Sequence, residues 1–452
     1  MATTLTRKYN VPGPRYTSYP SVPFWQKKID LEGWKSKIKD TFRLTNKSNG
    51  ISLYIHLPFC ESLCTYCGCT TRITINHAVE KPYIDTVLKE WKLYLDLLED
   101  VPEIAEIHLG GGTPTFFSPQ NLTYLIEGIT QTCVMKAAAE FSFEAHPNNT
   151  TDTHLKTLYN LGFRRVSFGI QDFDSQVQQI INRVQTYEQV QKVVDSARAI
   201  GYTSINFDLI YGLPLQTLTS ISDTCTKVAT LQPDRIAFYS YAHVPWIKPG
   251  QRMFTEADLP SHESKRSLYE LGKQMLTNMG YQEIGMDHFS LPDEALFRAA
   301  NEGHMHRNFM GYTTQHSLLS IGLGVSAIGD AWSAYGQNLK KVEEYKKAVI
   351  SNEFPIFKTH LLNDEEAYIR QHITQLMCKF ETSWSPADPH AHLLNHVENQ
   401  LQEMIADELV IATSNHLLIT TKGRPFVRNV CMALDIYLKP NRSSQPQFSS
   451  TI

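Results

Sequence analysis

The chain reads as an α/β protein built round a parallel sheet, and two features of its sequence predict this. From residue 51 to about 245, short apolar runs alternate with longer segments of helical period. Six strand-then-helix units in succession require a crossover between one strand and the next, and a crossover makes neighbouring strands parallel. The candidate strands are residues 51–57, 105–109, 140–144, 165–170, 204–209 and 235–241. Between the first two, Val79, Tyr83, Val87, Trp91 and Leu95 recur every four residues, the apolar face of one helix. Ser118 followed by Pro119 is an N-cap with proline in the first turn. Tyr187, Val190, Val194 and Ala197 mark a further amphipathic helix, closed by Gly201. Periodicity leaves open whether the sheet stays flat or curls into part of a barrel. Either way, side chains at the C-terminal ends of the strands line the site.

Ahead of this region lies an arm, residues 1–35. Pro12, Gly13, Pro14 and Pro20 argue against regular structure there, so the arm is expected to pack as an extended strap. Residues 36–355 are assigned to the main domain and 356–452 to a small, mainly helical C-terminal domain. In the latter, helical patterns at 364–380, 391–407 and 421–437 surround a candidate hairpin at 409–413 and 416–420, a winged-helix-like arrangement. The polar tail, 440–452, is expected to be disordered.

Composition narrows the function. A chain of 452 residues, 42% hydrophobic and 19% charged, has the make-up of an ordinary globular protein. Its net charge of -4, with no run of Lys or Arg, argues against nucleic-acid binding. No stretch approaches the roughly 18 apolar residues of a membrane span, and the first residues lack the apolar core of a signal peptide. Of eight cysteines, Cys133, Cys225, Cys378 and Cys431 sit alone in apolar patterns and read as small buried hydrophobes. A reducing cytoplasm is the expected location.

The other four cysteines carry chemistry. Cys60, Cys64 and Cys67 follow the first strand with C-x3-C-x2-C spacing, and Cys69 comes two residues later. Three thiolates are one too few for a closed structural zinc site, but they suit a four-iron cluster whose fourth iron stays open to a small molecule. Zinc on all four is the alternative, against which Cys67 and Cys69 stand too close for the usual C-x2-4-C chelate. Gly110, Gly111, Gly112, Thr113 and Pro114 follow the second strand, where glycine lets backbone approach a ligand. Glu144 ends the third strand, Gln171 and Asp172 the fourth, and Asp208 the fifth. Polar side chains at successive strand ends facing a cysteine loop describe a pocket. His288, His304, His306 and His316 are read as hydrogen-bonding to anions or to one another, with a second metal as the alternative.

These residues resemble the radical S-adenosylmethionine (SAM) superfamily, and more narrowly the oxygen-independent coproporphyrinogen III oxidases. The narrower likeness rests on Cys69 and on the segments 13–20, 166–172, 208–214, 241–243, 285–289, 306–309, 311–315, 324–328 and 428–431. It implies a partial (β/α)6 barrel and a 4Fe-4S cluster on Cys60, Cys64 and Cys67, with SAM on the open iron. The implied reaction converts two propionates of coproporphyrinogen III to vinyl groups through a 5′-deoxyadenosyl radical, giving protoporphyrinogen IX in haem biosynthesis. Tyr54, Gly111, Glu144 and Ile328 would contact this SAM, with Tyr54 and Glu144 in the catalytic set and Tyr66 over the adenine. Gly112, Thr113, Gln171, Arg183, Asp208 and Ala242 would line a second SAM position. Arg15, Lys248, Arg252, Arg307, His288 and His306 are candidates for holding the substrate's four carboxylates. The resemblance further implies a monomer served by a low-potential electron donor such as flavodoxin or ferredoxin. His146 and Met310 depart from the family pattern, where aspartate and glutamine are expected. A haem-binding chaperone of the same superfamily, or a radical SAM enzyme on another substrate, is the competing reading. Cys69 and the 13–20 arm favour the oxidase.

Overall fold

The computed structural model describes residues 2–438, 448, 449 and 451. Strands β1 (Ile51–Leu57), β2 (Glu103–Gly111), β3 (Val134–Ala145), β4 (Arg165–Gln171), β5 (Ser204–Tyr211) and β6 (Arg235–Ser240) lie side by side in chain order, all parallel. They are the six apolar runs of the sequence. β3 begins earlier than expected, because residues 134–139 include Lys136 and three alanines that mask its strand character.

The sheet continues beyond both edges. Past β6 come β7 (Gln282–Gly285) and β8 (His288–Ser290), with β8 antiparallel to β6. Past β1 come β9 (Ser320–Leu323), parallel to it, and the antiparallel β10 (Ile328–Asp330), β11 (Ala334–Asn338) and β12 (Ile356–Leu361). The order is β12-β11-β10-β9-β1-β2-β3-β4-β5-β6-β8-β7, whose two ends do not meet. The six parallel strands thus form a partial barrel with a largely antiparallel extension at each edge. None of β7–β12 stood out in the sequence, being only three to six residues long.

Helices cover the outside. The helix Glu80–Leu98 buries Tyr83, Val87 and Trp91 against the sheet, as its four-residue spacing requires. Ser118 caps Pro119–Thr130 by accepting the Asn121 N–H, and Gly201 ends Tyr187–Ile200 at φ +112°. Each large side chain of this core, such as Trp34 or Phe143, contributes about 1.5–3 kcal/mol by burial.

The arm is not wholly extended: Ala2–Tyr9 is a helix, since proline and glycine begin only at Pro12. Tyr9, Tyr16 and Tyr19 join a second apolar cluster with Ile373, Leu376, Leu417 and Val430. Around that cluster, strands Glu381–Ser383, His416–Ile419 and Val410–Thr413 form a small antiparallel sheet. The helix expected at 391–407 is broken into Ala391–Leu394, Val397–Gln400 and Gln402–Ala406, where Asn395, His396 and Asn399 are poor helix formers. The last helix starts at Val427 rather than near 421, behind a short turn holding Pro425. Most of the expected polar tail lies outside the described residues, but Thr451 N–H donates to Val11 O (2.8 Å) and Gly13 N–H to Ser449 O (3.1 Å). Among the described residues, no helix is long and apolar enough to cross a membrane.

Candidate active site

The cysteine loop leaves β1 at Leu57 and is fastened on several sides. Gly112 N–H donates to Leu57 O (2.8 Å) and Thr113 N–H to Phe59 O (3.0 Å), locking its root to the glycine turn after β2. Thr65 N–H reaches Ile181 O (3.0 Å). Gln251 Nε2 donates to both Tyr66 O (3.0 Å) and Ala242 O (3.2 Å), and Lys248 Nζ donates to Cys69 O (3.1 Å).

All the cysteines are free thiols, with Cys60, Cys64 and Cys67 half-buried and Cys69 exposed. The loop faces a cavity of about 360 Å³ inside the partial barrel. Burial pushes the Cys60 thiol up to about 11, whereas a hydrogen bond from Cys69 holds Cys67 down at about 6 against its own burial. Arg183 Nη1 lies 3.6 Å from Cys64 Sγ and its Nη2 donates to Gly169 O (2.5 Å), while its buried Nε has no partner among the described residues.

Opposite the loop, Glu144 accepts the Gly111 N–H (3.1 Å) and lies 3.5 Å from His108 Nε2. Burial opposes its ionisation, but His108 and the Gly111 N–H outweigh it and hold Glu144 below the ordinary carboxylate value. Asp208 accepts from Ser167 Oγ (2.9 Å) and Asn206 Nδ2 (2.9 Å), and burial, reinforced by the Glu144 charge, raises it to about 6. Gln171 ends β4 at φ +67°, where a register shift in the β4–β5 pairing turns the strand toward the cavity.

Eleven of the residues expected at the site line this one cavity: Cys60, Cys64, Tyr66, Cys67, Gly111, Gly112, Thr113, Glu144, Gln171, Arg183 and Asp208. Three stand behind its wall. Tyr54 packs beneath Gly110 and stacks on His108, and its hydroxyl is 3.0 Å from His56 Nδ1. The backbone of Ile328 abuts Gly322, the strand neighbour of Tyr54. Ala242 is joined to Tyr66 through Gln251. Of the candidate cations, Lys248 and Arg252 bond backbone oxygens of exposed loops. Burial pushes His288 down to about 4 and His306 to about 3, so both are neutral at physiological pH and neither supplies positive charge. His306 meets His316 edge to face at 4.7 Å.

The sequence reading missed the deeper lining. Strand pleat sends alternate residues inward, so Arg165, Ser167, Asn206 and Tyr239 face the cavity along with the strand ends. At its far end Arg165 pairs with Glu140 and Arg235 with Glu294.

The signature of the Radical SAM superfamily matches residues 54–228. The oxygen-independent coproporphyrinogen III oxidase of Synechocystis sp. is 37% identical over 458 residues, covering 99% of this chain and 97% of that protein. The enzyme of the same name from Helicobacter pylori strain J99 is 37% identical over 98% of both chains. The chain belongs to the oxygen-independent coproporphyrinogen III oxidases. The solved structure of the Escherichia coli coproporphyrinogen III oxidase, described as a radical SAM enzyme, superposes with a TM-score of 0.88 at 35% identity, covering 94% of this chain and 98% of that one.

Membership implies a 4Fe-4S cluster and SAM, and the residues fit them. Among the described residues, no three His, Cys, Asp or Glu side chains close on the position of a single metal ion. The three thiols nonetheless line one cavity, which suits a cluster with irons at separate corners better than a lone zinc. Gly112 approaches so closely that a Cβ there would stand 2.6 Å from Pro58 O, leaving room for backbone alone between cysteine loop and glycine turn.

Proposed function

We propose that this chain converts coproporphyrinogen III to protoporphyrinogen IX without O2, by oxidative decarboxylation of two propionates. The observation that carries the reading is the convergence on one cavity of Cys60, Cys64 and Cys67 with Glu144, Arg183 and Asp208. The reduced cluster and SAM, when bound, supply a 5′-deoxyadenosyl radical able to take a hydrogen atom from an unactivated C–H bond, chemistry beyond side-chain acids and bases. Each propionate loses one hydrogen atom to the radical, then CO2 and one electron, the electron passing to an external one-electron acceptor, in becoming a vinyl group.

The chain's residues bind and orient. Cys60, Cys64 and Cys67 would hold three irons, with Cys69 left off the cluster and its backbone N–H donating to Cys67 Sγ (3.4 Å). Glu144, ionised at neutral pH, suits the ammonium of SAM, and Gly111 offers it backbone contacts. Tyr54 buttresses this corner through His108, the neighbour of Glu144. Ile328 and Tyr66 would close on the rest of SAM. Gly112, Thr113, Gln171, Arg183, Asp208 and Ala242 are assigned to a second SAM, in which Arg183 would meet a carboxylate and Asp208 an ammonium or ribose. Electrons would come from a low-potential donor of the flavodoxin or ferredoxin kind, and the working form is a cytoplasmic monomer.

The test is anaerobic turnover of the reconstituted protein with SAM, a strong reductant and coproporphyrinogen III, with products separated by chromatography. Protoporphyrinogen IX together with 5′-deoxyadenosine is the expected result. SAM cleavage with the porphyrinogen untouched would leave the cluster assignment standing and remove the substrate. Haem titration would then decide for or against the chaperone.

A further inference from the structure

The first and last of the six parallel strands, β1 and β6, stand at opposite edges of that array and do not pair with each other. The loops that leave their C-terminal ends meet all the same. What joins them is residues 244–252, which follow β6 and fold into a compact clasp. Ile247 N–H and Lys248 N–H both donate to Val244 O (2.9 Å each), and Gln251 N–H donates to Lys248 O (3.0 Å). Arg252 Nε–H returns to Pro245 O (2.9 Å). A Cβ on Gly250 would stand 3.4 Å from Leu63 Cδ2 and 3.7 Å from Thr65 O, so the clasp sits directly on the cysteine loop. Of Lys248, Gln251 and Arg252, only Gln251 is buried, at 1% exposed.

Every polar atom of the Gln251 amide is spent on backbone. Nε2 donates to Tyr66 O (3.0 Å) in the cysteine loop and to Ala242 O (3.2 Å) after β6, and Oε1 accepts the Val244 N–H (2.6 Å). The Tyr66 carbonyl belongs to the peptide that leads into Cys67. No other hydrogen bond to the Tyr66 backbone occurs among the described residues. The rest of the loop is tied elsewhere. Thr65 N–H and Oγ1–H go to Ile181 O and Ile180 O (3.0 Å each), and His56 Nε2 lies 2.8 Å from Thr70 O. Between these ties, Tyr66 to Cys69 hangs from the clasp through Gln251 and through Lys248 on Cys69 O. Lys248 is half-buried and grips with an ammonium on a flexible stem. A buried amide with all its atoms paired admits one geometry.

No other side chain makes the same three bonds. A carboxylate has no donor for the two carbonyls. Methionine fills the space but leaves two carbonyls and an N–H without their partner. Asparagine keeps the amide one methylene short of its targets.

We propose that Gln251 is a positioning residue for SAM, holding Tyr66 and Cys67 in register with Ala242 across the open side of the barrel. This rests on the assignment above of Tyr66 and Ala242 to the two SAM positions. Under it, a single amide sets the spacing of those positions and holds the third cluster ligand to the same frame.

The experiment compares wild-type full chain with Gln251→Met and Gln251→Asn in two ways. Amide hydrogen exchange is followed by mass spectrometry on the cluster-free protein. SAM binding is measured by equilibrium dialysis on the reconstituted protein without reductant, with iron assayed alongside. In Gln251→Met, exchange should quicken at residues 64–69 and 242–244 while β1 to β6 keep their protection. Its SAM dissociation constant should rise about tenfold at wild-type iron content, the worth of a buried group left unpaired. Gln251→Asn should fall between the two. A wild-type dissociation constant in Gln251→Met would overturn the proposal. Faster exchange throughout the sheet, or iron lost together with SAM, in both variants would also overturn it, marking Gln251 as a prop of the fold. Reconstituted wild-type protein that binds no SAM would instead remove the SAM assignment, and the positioning role with it.

Discussion

Replacing Gly112 with alanine tests how tightly the cysteine loop is registered against the sheet. A Cβ at this position would stand 2.6 Å from both C and O of Pro58 and 2.9 Å from Phe59 O. These are backbone atoms at the root of the cysteine loop and cannot rotate aside. Ordinary contact begins at 3.4 Å, so the gap between the β2 turn and the loop must open by about 0.8 Å from its present 2.6 Å. The bonds Gly112 N–H to Leu57 O and Thr113 N–H to Phe59 O would lengthen with it. Such overpacking costs about 1–3 kcal/mol of stability, and displacing a reacting group by about 1 Å costs roughly a hundredfold in rate. Gly112→Ala should therefore fold, take up less cluster, and turn over about a hundredfold more slowly per cluster. Iron content, absorption near 400 nm and anaerobic turnover measure the three. Gly68→Ala is the contrast: it sits between Cys67 and Cys69, yet its Cβ would meet nothing within 4 Å, so cluster and rate should persist. Full cluster content with turnover within threefold of wild type in Gly112→Ala would refute the reasoning.

Further outcomes are expected elsewhere in the molecule. Alanine at Cys60, Cys64 or Cys67 should abolish the iron–sulfur absorption and turnover, whereas Cys69→Ala should keep the cluster; the reverse pattern in reconstitution would reassign the ligands. Asp208→Ala should slow turnover at least tenfold with cluster content unchanged, and joint loss of both would make Asp208 structural. Glu90, fully buried under hydrogen bonds from Gly324 N–H (2.7 Å), Tyr345 (2.6 Å) and Asn338 (2.6 Å), is raised by burial from 4.5 to about 7. Because the folded-state value is the higher, its contribution to stability is fullest below pH 4.5 and is lost as pH rises through 7. The 2.5 pH units between, at 1.36 kcal/mol each, amount to about 3 kcal/mol. Glu90→Gln should flatten that part of the stability profile in urea titrations at pH 4.5 to 7.5, and an unchanged slope would count against the assignment.

The six parallel strands were legible because each sets buried apolar residues between turn residues and leads into a segment of helical period. The start of β3 and the edge additions were not, for physical reasons that differ between them. Residues 134–139 in β3 are largely exposed or half-exposed and rich in alanine, so neither apolar content nor alternation marks them. β9, β10 and β11 each contain a glycine, and their pairing is decided by the sheet already present rather than by their own propensity. The arm misled through its middle: Pro12 to Pro20 is irregular, but that says nothing of the eight residues before it, which form a helix.

The candidate site was half legible, and the division follows the chemistry. The cysteine loop, the glycine turn, Glu144, Gln171 and Asp208 stand at strand ends, where a polar residue breaks an apolar run and announces itself. His108, Ser167, Asn206 and Arg165 lie within strands, where a polar residue reads as one facing solvent. Their signal was the spacing of two: Arg165, Ser167, Gly169 and Gln171 all face the cavity, as do Ser204, Asn206 and Asp208. In a sheet covered outside by helices, such an alternating polar row has one place to go, which is the interior. An interior lined this way cannot be filled by packing. It must hold water or ligand, and its charges must be answered there, as Arg165 is by Glu140 and Arg235 by Glu294.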